Sequence, residues 1–148
     1  MGYLGIDPGV SGGLALIEDT GFLKKAAWKM PATEKDISDL FIDLKPLVSF
    51  ALIEAVHSMP GMAMGTMFNF GKGYGFLRGM LIAHGIPFGE VTPQKWQKFM
   101  NCLTKGDKNV SKARAQQLFP NLKITHAIAD ALLIAEYCRL TRSGLDDL

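Results

Sequence analysis

Short apolar runs come first along this chain, and a helical period takes over later. Tyr3-Leu4-Gly5-Ile6 runs into Asp7, and Leu14 to Ile17 follows after Pro8-Gly9-Val10-Ser11-Gly12-Gly13. This pattern predicts strands over residues 2–7 and 13–18, joined by a tight glycine-rich turn. Asp19-Thr20-Gly21 punctuates before a third strand, about Phe22 to Met30, with Leu23, Ala27 and Trp28 at its apolar positions. Three consecutive strands with short turns form an antiparallel meander. Thr33 is placed to cap a helix, with Asp36 three residues later and Ile37, Leu40, Phe41 and Leu44 on one face until Pro46. Val48 to Glu54 is a short strand after a helix, which predicts parallel pairing in the same sheet.

The second half reads as helices around one more strand. Residues 56–65 are rich in Met, Gly and Pro and predict a loop. A helix is expected from Thr66 to about Ala83, with Met67, Phe70, Tyr74, Leu77, Met80 and Leu81 at helical spacing. Its glycines at 71, 73, 75 and 79 each cost about 1 kcal/mol relative to Ala, which points to close approach by another helix, a second copy of the chain or DNA. Ile86 to Val91 predicts a strand, Pro93 starts a helix containing Trp96, and Ser111 to Leu118 forms a basic helical turn. His126 to Arg142 is the last helix, and the acidic tail 143–148 is expected to fray. The whole predicts one α/β domain over residues 1–148. A three-stranded antiparallel meander plus parallel strands, flanked by helices, is the mixed-sheet order of the ribonuclease H-like fold.

Composition narrows the class. The 148 residues are 48% hydrophobic and 20% charged, ordinary for a globular domain and unlike a disordered chain. No apolar run approaches the roughly 20 residues that span a bilayer, and the N-terminus reads as a core strand rather than a signal peptide. Cys102 and Cys138 have neither disulfide density nor metal-ligand spacing, so reduced thiols in a cytoplasmic protein are expected. The net charge of +2 hides an asymmetry: residues 72–142 carry eleven Lys or Arg against four acids. A basic segment of net charge +7 suits a polyanion such as nucleic acid.

Three lone carboxylates stand out against this background. Asp7 ends the first strand, Glu54 ends Phe50-Ala51-Leu52-Ile53, and Asp130 opens the apolar stretch Ala131 to Tyr137. A charge joined to a buried element needs a partner, and a divalent cation is an adequate one. Mg²⁺ or Mn²⁺ takes hard oxygen ligands and keeps waters for substrate phosphates. Two such ions per site suit phosphodiester hydrolysis. Asp7, on a central strand, is the best bridging ligand. His126 lies one helical turn before Asp130, on the same face, as a further ligand or general base.

Basic residues follow the core strands. Lys105, Lys108, Lys112 and Arg114 flank a Gly-Asp turn and a helix start, and Lys72 and Arg78 lie on the glycine-rich helix; all six are candidates for phosphate contacts. Phe68 is a candidate wedge into distorted DNA. Trp96, between Lys95 and Lys98, reads as core.

These residues resemble the RuvC-type Holliday junction resolvases, particularly their phage-associated branch, almost end to end. The anchors are Gly5-Ile6-Asp7-Pro8-Gly9, Ile53-Glu54, Phe68-Asn69-Phe70-Gly71 with Gly75, Val91-Thr92-Pro93 before Trp96, and Ala129-Asp130-Ala131-Leu132. The resemblance implies a homodimeric, Mg²⁺- or Mn²⁺-dependent endonuclease that nicks opposing strands of four-way and other branched DNA, with Asp7, Glu54 and Asp130 as catalytic acids. The family's fourth position, three residues before the last Asp, is Ala127 here, with His126 one residue earlier. The aromatic residue expected just after Glu54 is replaced by Val56-His57. Within this reading the glycine-rich helix is the expected dimer interface, with Phe70, Tyr74, Leu77 and Met80 supplying apolar area. Two other classes share features: a non-catalytic junction-binding protein, and an actin-like or sugar-kinase-type phosphotransferase, which shares the Asp7 turn.

Overall fold

The computed structural model describes residues 1–19, 24–55, 57 and 59–146. Phe22 and Leu23, expected to open the third strand, lie outside them, as do Val56 and residues 147–148. The elements are β1 (Gly2–Asp7), β2 (Gly13–Glu18), β3 (Lys24–Lys29), α1 (Glu34–Leu44), β4 (Val48–Glu54), α2 (Met64–Ala83), β5 (Phe88–Val91), α3 (Pro93–Phe99), α4 (Lys108–Leu118) and α5 (His126–Asp146). They form a five-stranded sheet in the order β3-β2-β1-β4-β5. β1 pairs antiparallel with β2, and β2 antiparallel with β3. β4 lies parallel between β1 and β5. This is the expected ribonuclease H-like mixed sheet.

Strand alternation splits the core into two layers. Leu4, Ile6, Leu14 and Leu16 pack against α1 and α2, with Phe41, Leu44, Leu77 and Leu81. Ala15, Ile17 and Leu52 face the other way, onto Trp96 of α3, Ala115 of α4 and the apolar run Ala131 to Ala135 of α5.

Local chemistry sets most element ends. The Thr33 side chain accepts from the Asp36 backbone N at 3.1 Å and starts α1. Three boundaries differ from the sequence pattern. β5 begins at Phe88 rather than Ile86, since Pro87 has no N–H for the ladder. α4 begins at Lys108 rather than Ser111, because the Asp107 side chain caps it, accepting from the Asn109 N at 3.0 Å. α5 continues through Gly144 to Asp146 instead of ending at Arg142. Among the described residues no helix is long and apolar enough to cross a membrane.

Candidate active site

Parity and register decide which acids meet. Leu4 and Ile6 point toward α1 and α2, so Gly5 and Asp7 take the opposite face, under α5. Gly5 is in register with Leu52, and Ile6 with Ile53. The next residues, Asp7 and Glu54, therefore end neighbouring parallel strands, and Glu54 shares the side of Leu52. Helix α5 crosses this face directly over Gly5: a Cβ there would overlap the carbonyl of Ala131 and the backbone N of Ala135. Any side chain at position 5 would lift α5, and Asp130 with it, off the sheet. The turn after Asp7 depends on a second glycine, since Gly9 has φ of +105° and a Cβ on it would meet the Phe70 ring at 2.9 Å.

The charge of Asp130 acts on both Asp7 and Glu54, and that of Glu54 on Asp7. Asp7 is pushed up to about 8, chiefly by burial and then by the charges of Glu54 and Asp130, with Lys108 opposing them. Glu54 is pushed up to about 7, chiefly by burial and further by Asp130, while a hydrogen bond from Trp96 and the charge of Lys108 oppose the rise. Asp130 is raised by burial, against the Ser111 hydroxyl, Lys108 and His126. Its Oδ1 is buried without a hydrogen-bond partner. Such an arrangement is unfavourable for three anions and favourable for a cation placed among them.

The donor set fits a hard divalent ion: carboxylate oxygens, one of them unpartnered in the interior. Among the described residues no group of three or more His, Cys, Asp or Glu side chains is placed to hold a metal ion by itself. An ion such as Mg²⁺, which binds through one or two carboxylates and keeps its waters for phosphate oxygens, does not need one.

The other sequence candidates are placed differently. His126 is exposed at the first residue of α5, and its charge reaches Asp130. Ala127, at the fourth family position, packs its backbone carbonyl over Gly13. Lys108, expected from its place beside the Gly-Asp turn and helix start to contact DNA phosphates, acts on all three acids from the start of α4. Lys105 is exposed and Lys112 partly buried; among the described residues neither forms an ion pair. Lys72 lies 3.7 Å from Glu34, and Arg78 Nε lies 3.1 Å from Glu90. Both pairs are solvent-exposed and so weak enough to exchange for a phosphate. Arg114 is more firmly committed: its Nε donates to the Met100 carbonyl at 2.9 Å, and its Nη1 to Gln117 Oε1 at 3.2 Å.

Two site residues escaped the sequence reading. Trp96 is fully buried, as expected of core, yet its indole N–H donates to Glu54 Oε2 at 2.7 Å. Ser111, the one buried polar residue among those described, lies beside Asp130. Neither has a sequence signal, because the contacts join residues 42 and 19 positions apart. For Trp96 the nearest hint is the Thr92-Pro93 helix start just before it.

Helix α2 also differs from expectation. Tyr74, Leu77 and Met80, expected at an interface, pack inward on the sheet, and Phe70 packs on Gly9. The outward face instead carries Met64 (85% exposed), Phe68 (71%), Gly71, Gly75 and Ile82 (65%). A Cβ added at Gly71, Gly73, Gly75 or Gly79 would meet nothing within 4 Å. No packing among the described residues accounts for these glycines.

No protein-family model and no curated protein sequence matches the chain. Solved structures do. The structure of Thermus thermophilus RuvC superposes with a TM-score of 0.64 at 18% identity over 97% of each chain. The fold is that of RuvC. T. thermophilus RuvC in complex with Holliday junction substrate gives 0.65, again at 18% identity and 97% coverage of both chains. The yeast mitochondrial Holliday junction resolvase Ydc2 gives 0.54 at 14% identity, covering 98% of this chain and 82% of its own. The RuvC-like fold has β1 at its centre, and here that strand ends in Asp7.

Proposed function

We propose that this chain is a divalent-metal-dependent endonuclease that acts as a homodimer in the cytoplasm and resolves four-way DNA junctions by paired nicks. One observation carries the reading: three partly buried carboxylates from β1, β4 and α5 lie within electrostatic reach, Glu54 and Asp130 raising Asp7 and Asp130 raising Glu54. The RuvC fold supports it, as does the basic surface around α4. Asp7, Glu54 and Asp130 would hold Mg²⁺ or Mn²⁺, with His126 at the margin. The bound ions would activate a water and stabilise the departing 3′-oxygen.

The chain's own side chains supply the rest. Lys108 offsets the negative charge of the three acids, which favours approach of a phosphate that the acids alone would repel. Lys105 and Lys112 would extend the positive surface along the loop and helix beside it, with Arg114 on that same helix and Lys72 and Arg78 on α2, across the sheet. Phe68, exposed near the start of α2, is open to contact with unstacked bases. One acid cluster per chain serves one strand, so two nicks at symmetric positions require two chains related by a two-fold axis.

The deciding experiment is nicking of a synthetic four-way junction against a linear duplex, in Mg²⁺, Mn²⁺ or chelator. Paired nicks on the junction alone, absent in chelator, are expected. Tight junction binding without nicking in either ion would identify a non-catalytic junction-binding protein. ATP turnover without DNA would indicate the phosphotransferase class.

The basic surface is tested separately. Exchanging Lys105 and Lys112 for Ala should weaken binding to all DNA forms and reduce the slope of log affinity against log salt by about 0.9 for each phosphate that is no longer neutralised. An unchanged slope would mean that both lysines are merely solvated.

A further inference from the structure

Trp96 is the largest of the fully buried side chains. Its ring lies in the layer formed with Val91, Met100, Cys102, Ala115 and Phe119. Any large apolar side chain could supply that burial, but only Trp adds a donor there. The indole N–H donates at 2.7 Å to Glu54 Oε2, within the usual range for a charge-assisted bond. Its partner is thus an acid of the candidate site, not a backbone carbonyl.

The backbone holds both ends of this bond. Glu54 and Val91 are register partners on parallel strands, and the Ala55 N donates to the Val91 carbonyl at 2.8 Å. Immediately after Val91, Thr92 caps α3, its hydroxyl accepting from the Lys95 N at 3.3 Å, and Pro93 occupies the first turn. These bonds set the direction of α3 relative to β4 and deliver the indole to the carboxylate. An indole N–H is a donor only and does not titrate in water's range. The donor therefore stays the same at every working pH, which that of a His would not.

We propose that Trp96 is a positioning residue: its indole N–H orients the Glu54 carboxylate for the divalent cation, and the indole registers that cation's arrival. The inference rests on the reading of Asp7, Glu54 and Asp130 as cation ligands. Outer-shell partners of metal ligands act in this way, and their loss typically lowers metal affinity by roughly 10- to 100-fold.

The test uses the full chain without DNA, titrated with Mn²⁺. Trp28 and Trp96 are the two tryptophans, so Trp28→Phe leaves Trp96 as the sole indole. Its emission should change saturably with Mn²⁺, at the midpoint found by calorimetry, and adding Glu54→Gln should abolish the change. Trp96→Phe, which keeps an aromatic ring and removes the donor, should weaken Mn²⁺ binding by about 10-fold, with the circular dichroism spectrum and junction binding in chelator unchanged. If Trp96→Phe does not fold, the tryptophan analogue with sulfur in place of the N–H retains the ring shape and should show the same loss. Unchanged Mn²⁺ affinity in the folded donor-less variant, or an emission that stays constant at saturation, would overturn the proposal. The nuclease reading fails independently: Mn²⁺ coupling to Trp96 in a protein that nicks no junction would uphold the positioning role and remove the activity. A parent chain that binds no Mn²⁺ would overturn both.

Discussion

Asp7→Asn is expected to reduce junction nicking by on the order of 10³-fold while leaving junction binding in chelator near the wild-type level. Metal-held charge stabilisation contributes several kcal/mol to a transition state, and each 1.4 kcal/mol or so is tenfold in rate. An amide is nearly isosteric with the carboxyl but lacks its charge, so the fold is preserved while the cation loses its central ligand. Stability should move the opposite way. Asp7 sits at about 8 in the folded chain against an ordinary 3.8. Between those values the folded chain keeps a proton that the unfolded chain has released. Stability from this group is therefore greatest at low pH and falls as pH rises toward 8. In chelator, Asp7→Asn should melt several degrees above wild type at pH 8, with the gap closing toward pH 4. Added Mg²⁺ should raise the wild-type Tm and leave the variant unmoved, since it stabilises only the form that binds it. Near-normal cleavage by Asp7→Asn would remove Asp7 from the site.

Gly75→Leu is expected to convert a dimer into a monomer and to abolish concerted cleavage of both strands, leaving single nicks at best. Gly75 lies on the outward face of α2 between Phe68 and Ile82, and a Cβ there meets open space. The isolated chain should tolerate the Leu and gain about 1 kcal/mol of helix propensity. Only a surface packed closely against Gly75 would be disrupted. Mass in solution and paired-nick formation on a cruciform plasmid are the measurements. The outcome separates two explanations of the glycines: if they serve no interface, Gly75→Leu should raise Tm without changing mass. A wild-type chain that stays monomeric at high concentration with junction bound would defeat the dimer.

Much of the fold was written locally. Short apolar runs bounded by glycine turns specify β1 and β2 to the residue, and the Thr33 cap sets the start of α1. The order of elements, with its meander followed by βα units, limits the sheet to few arrangements. Asp7, Glu54 and Asp130 stood out as candidates too, because a lone carboxylate at the end of an apolar run is costly wherever the chain folds.

What joins those acids was not legible. Asp130 reaches Asp7 only because Gly5 lets α5 lie directly on β1, a contact between residues more than 120 apart in sequence. Lys108 and Lys105 look alike along the chain; capping of α4 by Asp107 starts that helix at Lys108, and packing of α4 on α5 brings that lysine within electrostatic reach of the acids. Trp96 fits a core position by every local criterion, and the β4–β5 register makes it a donor to Glu54. The same limit holds for α2. Its apolar period correctly marks a helix, but only the packed sheet shows which face is used up and which glycine-lined face remains outward. Sequence pattern determines which segments can form elements and which residues are expensive to bury. Long-range packing decides which of those residues share a site, because side-chain proximity across elements depends on register and close approach that no local window contains.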